Sequence, residues 1–187
     1  IPTPTSQGQP FMSAALPFSL RHVITGGAAG TSQSTIFGTL TNPTNIPQTA
    51  TYYVTPTSGT TGNCPGASFT VIVTVNPKPV ILDRVATICS ADAFTVTPAN
   101  NSPSATTIVP SGTTYTWTVV DNTNVTGDTD QPTSQNSIGQ TLTNLTNTPQ
   151  TVVYTVTPVS GAAGTCPGAP FTITVTVIPK PTVANET

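Results

Sequence analysis

The chain has 187 residues, 35% of them hydrophobic and only 5% charged, and its formal charge is −2. With four basic residues in all there is no cationic stripe to displace counterions from phosphate, which excludes nucleic acid as a partner. No apolar run approaches the ~18 residues of a membrane span, so no membrane insertion is expected of this segment.

Disordered chains combine low hydrophobicity with high net charge. This chain is nearly uncharged and keeps a regular apolar alternation, so it is expected to fold. Thr and Val, which suit a pleated half-buried surface, dominate together with the turn formers Pro, Gly and Asn. Good helix formers are scarce: one Glu, two Lys and one Met. An all-β chain follows from this census.

Residues 1–10 are rich in Pro, Thr and Gln and lack the basic-then-apolar layout of a signal peptide, and the chain reads as an internal fragment of a longer one. Residues 35–80 then return as residues 137–182 without a gap, nearly two thirds of the positions being identical. Cys64 recurs at Cys166, a period of 102 residues, which is too long for a solenoid coil and is the size of one β-sandwich domain. Upstream, Ile24-Thr25-Gly26 answers Val125-Thr126-Gly127, Thr31-Ser32-Gln33 answers Thr133-Ser134-Gln135, and Phe18-Ser19-Leu20 is aligned with Tyr115-Thr116-Trp117. These matches divide the chain into a first repeat over 1–79, truncated at its N-terminal end, a complete repeat over 80–181, and the start of a third over 182–187.

In the complete repeat, strands are expected over 93–98, 114–120, 151–158 and 171–177. In the last, Phe171, Ile173, Val175 and Val177 share one face and Thr172, Thr174 and Thr176 the other, the period-2 pattern of a strand with one wet face. The same alternation assigns Tyr115, Trp117, Tyr154 and Phe171 to the core. Turn-rich stretches are expected over 100–104, 121–135 and 160–168. Short alternating strands between turn signals describe antiparallel β-sandwich modules in tandem.

The strings TYTWTV, TLTNLTNTPQTVVYTVTP, GTCPGAPFTITVTV and PKP resemble the PKD-like, immunoglobulin-like repeats of giant surface proteins of Bacteroidetes, above all the mobile adhesins of gliding flavobacteria exported by the type 9 secretion system. The resemblance covers the whole second repeat and the last half of the first. It implies an extracellular filament of many such modules on the outer membrane, used for surface attachment and gliding motility. Its partners would be neighbouring repeats of the same chain and an unidentified polysaccharide or other adhesion ligand. The alternative is a carbohydrate-binding or spacer module of a secreted glycoside hydrolase, which would need an exposed aromatic platform such as Tyr52 and Tyr53.

Repeat phase also bears on the cysteines. A second copy of Cys89 would fall before residue 1, so Cys89 is expected to pair with Cys166, with the partner of Cys64 outside the segment; an extracellular setting would preserve the bond. Pro77-Lys78-Pro79 and Pro179-Lys180-Pro181 read as stiff, extended linkers, because each Pro fixes φ and restricts the residue before it. Asn124-Val125-Thr126 and Asn144-Leu145-Thr146 match the N-glycan sequon. No enzyme is expected: His22 is the single histidine and lies in the irregular first repeat, and no CxxC or His cluster could hold zinc. No cofactor is expected either. Asp121, Asp128 and Asp130 are the one concentration of oxygen ligands that calcium could use, the alternative being a polar turn, since EF-hand spacing is missing.

Overall fold

A computed structural model describes residues 11–15, 24–59, 63–161 and 165–181. Phe18, Leu20, His22 and the proposed third repeat over 182–187 lie outside the described residues. Every regular element among the described residues is a β-strand, and the chain divides into two compact units, Ile1–Asn76 and Pro77–Thr187.

The first unit contains β1 (Phe11–Ala15), β2 (Gly30–Gln33), β3 (Gln48–Thr57) and β4 (Phe69–Val75), hydrogen-bonded in the order β2-β1-β3-β4. All of its pairings are antiparallel. Period-2 alternation in β3 turns Ala50, Tyr52 and Val54 into a small core with Ile24, against which Leu40, Val71, Val73 and Val75 pack.

The second unit is a complete sandwich. Its larger sheet contains β5 (Arg84–Cys89), β7 (Thr114–Val119), β9 (Gln131–Gln135), β11 (Gln150–Val159) and β12 (Phe171–Ile178), in the order β5-β12-β11-β7-β9. Its smaller sheet contains β6 (Asp92–Val96), β8 (Val125–Thr126) and β10 (Ile138–Asn144), in the order β6-β10-β8. Both sheets give apolar side chains to one core, with Phe94, Val125, Ile138 and Leu142 from the smaller sheet facing Trp117, Tyr154, Val156 and Ile173 from the larger. The Phe94 and Tyr154 rings meet with centroids 5.1 Å apart and tilted by 54°, an arrangement favoured by the ring quadrupoles. One pairing departs from the antiparallel rule: β5, the first strand of the unit, runs parallel to β12, the last. The fold is an all-β, immunoglobulin-like sandwich.

Two details differ from the sequence expectation. The stretch 121–135 contains β8 and β9, not only turn; its polar side chains hide strands that lie at sheet edges. The strand of the first unit equivalent to β7 is β1. Met12 and Ala14 pair with Pro56 and Val54, as Tyr115 and Trp117 pair with Pro158 and Val156 one repeat later. The position of Trp117 is therefore held by Ala14, and not by Leu20.

Candidate functional site

The two terminal strands of the second unit, β5 and β12, pair in parallel and are tied at both ends. Their register runs from Ile173↔Arg84 to Ile178↔Cys89. At the entry end the Asp83 carboxylate accepts a 2.6 Å hydrogen bond from the Thr172 amide. That amide, helped by the Thr172 hydroxyl, holds the Asp83 carboxyl below the usual carboxylate range. Arg84 next to it donates Nη2 to the Ser102 carbonyl at 2.6 Å. At the far end the Ser90 amide donates to the Ile178 carbonyl at 2.7 Å, and Lys180 meets Asp92 at 2.8 Å in an exposed ion pair. Exposure keeps such a pair weak, at about 0–1 kcal/mol.

Asn144 ties the β10–β11 connection to this strand pair. Its Nδ2 donates to the Val177 carbonyl at 2.9 Å and to the Thr148 carbonyl at 2.8 Å. Its Oδ1 accepts from the amide and hydroxyl of Thr146, both at 2.8 Å, and its backbone amide donates to Ser90 Oγ. Asn42 repeats the arrangement in the first unit, donating to Ile46 and Val75 and accepting from Thr44. Each side chain is buried, and an Asn can satisfy donors and acceptors of this kind at once. Sequence reasoning passed over this hub, although its signal, TLTNxTNxPQ in both repeats, was present. The consequence for the sequons is direct: Asn144 is buried with both amide hydrogens engaged, whereas Asn124 is exposed.

Cys89 and Cys166 are not joined, which corrects the expected disulfide. Cys89 ends β5 opposite Ile178, while Cys166 lies before the start of β12. From Phe171 to Ile178 the intervening strand spans roughly 23 Å at about 3.3 Å per residue, against the 4.4–6.8 Å between Cα atoms that a disulfide tolerates. Cys64 and Cys166 instead occupy equivalent hairpin turns, where the amide of Ser58 or Ser160 donates to the cysteine carbonyl at 3.0 Å and the serine Oγ accepts from the cysteine amide.

The proline segments also differ from open linkers. Pro77 and Pro79 are buried, and the next residue, Val80, exchanges two backbone hydrogen bonds with Ile108. A Cβ on Gly168 would strike the Pro79 carbonyl, so the glycine makes room for the entering chain. Lys78 between the two prolines is exposed; in the second segment Pro179 is half-buried, and Lys180 and Pro181 are exposed.

Tyr115, Trp117, Tyr154 and Phe171 are buried in one cluster. Burial pushes the Tyr115 phenol up to about 12. It raises that of Tyr154 as well, with a further contribution from the Asp128 charge, and the Tyr154 hydroxyl donates to Gln140 Oε1 at 3.0 Å. Asp128 and Asp130 are used as backbone acceptors, taking the amides of Asn122 and Val119, and Asp121 does not join them in a metal-binding group among the described residues. Tyr52 is buried and only Tyr53 is exposed, so these two do not form an aromatic platform for a sugar.

The sequence matches the model of the PKD-like domain over residues 19–79 and again over residues 86–181. No curated protein matches it. Among solved structures, Drosophila N-cadherin EC1-4 is similar at 13% identity with a TM-score of 0.33, over 93% of this chain and 42% of that one. The present chain thus spans less than half the length of that structure. The two matches to the domain model cover the repeated segments on which the fold rests, and the chain belongs to the PKD-like domain family, which occurs in it twice.

Proposed function

We propose that the chain is a tension-bearing structural and adhesive part of a cell-surface filament, serving surface attachment and gliding motility. The observation that carries this reading is the parallel pairing of β5 with β12. The chain enters the unit at the start of β5 and leaves at the end of β12, so the two exits lie at opposite ends of one strand pair. Tension along the chain then loads every bond of that pair together, in shear, instead of opening them one at a time. A passive binding module has no need of this geometry.

The near-neutral, Thr-rich strand faces fit a filament of many copies, because they give neighbouring repeats little charge with which to attract one another. The strings quoted above, similar to those of Bacteroidetes adhesins, support an extracellular site on the outer membrane, export by type 9 secretion, and neighbouring repeats and a surface polysaccharide as partners. Antibodies raised against the chain should label intact, unpermeabilised cells of the organism that makes it and reduce their attachment to glass. Labelling that appears only after permeabilisation would contradict the proposal.

A further inference from the structure

At the edge of the larger sheet of the second unit, β9 turns two glutamines towards the inside of the sandwich. Gln131 is paired with Trp117 and Gln135 with Tyr115, and residues directly opposed on neighbouring strands share a face. Both glutamines therefore lie on the side of the core aromatics. Between them and the first half of β10 is an open groove of about 420 Å³, within the ~300–1,000 Å³ of small-ligand sites. Trp117, Gln131, Gln135, Gln140, Thr95 and Ser137 contribute to its wall, and none of the described residues that line it is charged.

The polar groups of this wall are unequally used. Gln140 is fully engaged: its Oε1 accepts from the Tyr154 hydroxyl and the Thr129 amide, and its Nε2 donates to Thr129. Gln131 and Gln135 each donate Nε2 to the Thr133 carbonyl, at 3.1 and 3.4 Å, through exposed bonds. Their Oε1 atoms accept no hydrogen bond among the described residues. Trp117 is 5% exposed, and its Nε1 is a buried donor with no acceptor among the described residues. A buried indole N–H ordinarily finds a partner. The wall thus combines a stranded donor with two idle acceptors, and a hydroxyl group answers both because it accepts and donates at once.

We propose that this groove binds a neutral glycan, one sugar hydroxyl accepting from Trp117 Nε1 and donating to Oε1 of Gln131 or Gln135. Such a site rests on the adhesive role proposed for the chain, and it gives the polysaccharide partner a chemical class and a place. Nε1 is shielded from solvent, so the sugar reaches it by turning aside Gln131, whose side chain is held by one exposed bond. An acidic sugar would give up hydration and meet no cation in the wall. The first unit lacks the set. Ala14 holds the position of Trp117, Gly30 is its cross-strand partner, and Gly38 stands one period before Gln140. Recognition is then a property of individual repeats carried on a common sandwich.

The test titrates the whole chain with cellohexaose, maltohexaose, mannohexaose and N-acetylchitohexaose, and with hexagalacturonate as the acidic counterpart. Trp117, the one tryptophan of the chain, reports occupancy of the groove through its fluorescence, while calorimetry reports binding anywhere. At least one neutral glycan should bind and shift the Trp117 emission. Gln131→Ala combined with Gln135→Ala should weaken that binding about tenfold or more, the scale of two lost hydrogen bonds. Both side chains are only half-buried, so the urea midpoint should stay unchanged. Gln131→Asn, which keeps the amide and shortens its reach, gives the same comparison should the double variant lose stability. Three results would overturn the site: no binding of any neutral glycan, binding that leaves the emission unmoved or survives the glutamine substitutions, or tighter binding of hexagalacturonate. Surface labelling of intact cells does not depend on the groove. Labelled cells together with a chain blind to neutral glycans would overturn the site and leave the adhesive reading standing.

Discussion

At the scale of single residues, the Asn144 side chain ties the β10–β11 connection to β12. Truncation in Asn144→Ala removes two donated and two accepted hydrogen bonds, the one to the Val177 carbonyl among them. Unsatisfied buried groups cost about 1–3 kcal/mol each, so the variant should lose roughly 2–4 kcal/mol. Trp117 is the one tryptophan of the chain and sits in this core, so its fluorescence in a urea titration reads the loss for this unit alone. A midpoint unchanged from the parent would remove Asn144 from the account. Asp83 predicts a pH dependence. Its folded pKa lies below the ordinary carboxyl value of 3.8, so its contribution is present above that value and is lost as pH falls through the lower folded pKa. Asp83→Asn should flatten the acid limb of the stability profile below pH 3.8 and leave the neutral plateau level with pH.

Among the elements, those with strict alternation were legible from sequence and those at sheet edges were not. Phe171–Ile178 and Gln150–Val159 stand within two residues of where alternation put them, because both faces of a central strand are constrained by neighbours. Gln131–Gln135 is polar apart from Pro132; as an edge strand it needs backbone bonds and little burial, and composition alone reads it as turn. Arg84–Cys89 escaped notice for a different reason. It is half exposed, and its place is set by a parallel partner almost ninety residues away in the chain. The burial of the proline segment was not legible, because it depends on the space left by Gly168. Replacing Pro77 and Pro79 by Gly should therefore lower the stability of the second unit itself by about 1–3 kcal/mol, through lost packing and a freer unfolded chain. Trp117 fluorescence in denaturant measures this; an unchanged midpoint would restore the linker reading.

For the whole molecule, the period of 102 residues fixed the size of the module, and the aromatic set Tyr115, Trp117, Tyr154 and Phe171 lies together in one core. The parallel β5–β12 pair was not legible, because no residue type marks a parallel pair of terminal strands; it emerges from topology. That topology makes the central claim testable by single-molecule stretching of the second unit in two directions. Pulled through its two chain ends, β5 shears along β12 and all the bonds of the pair resist together. Pulled through handles at Cys89 and at Ile178→Cys, which face each other at one end of the pair, with Cys64→Ser and Cys166→Ser to keep the attachment unique, the same strands open bond by bond. A clearly higher unfolding force through the chain ends than through the facing handles is the expected result; equal forces in the two directions would contradict a tension-bearing role.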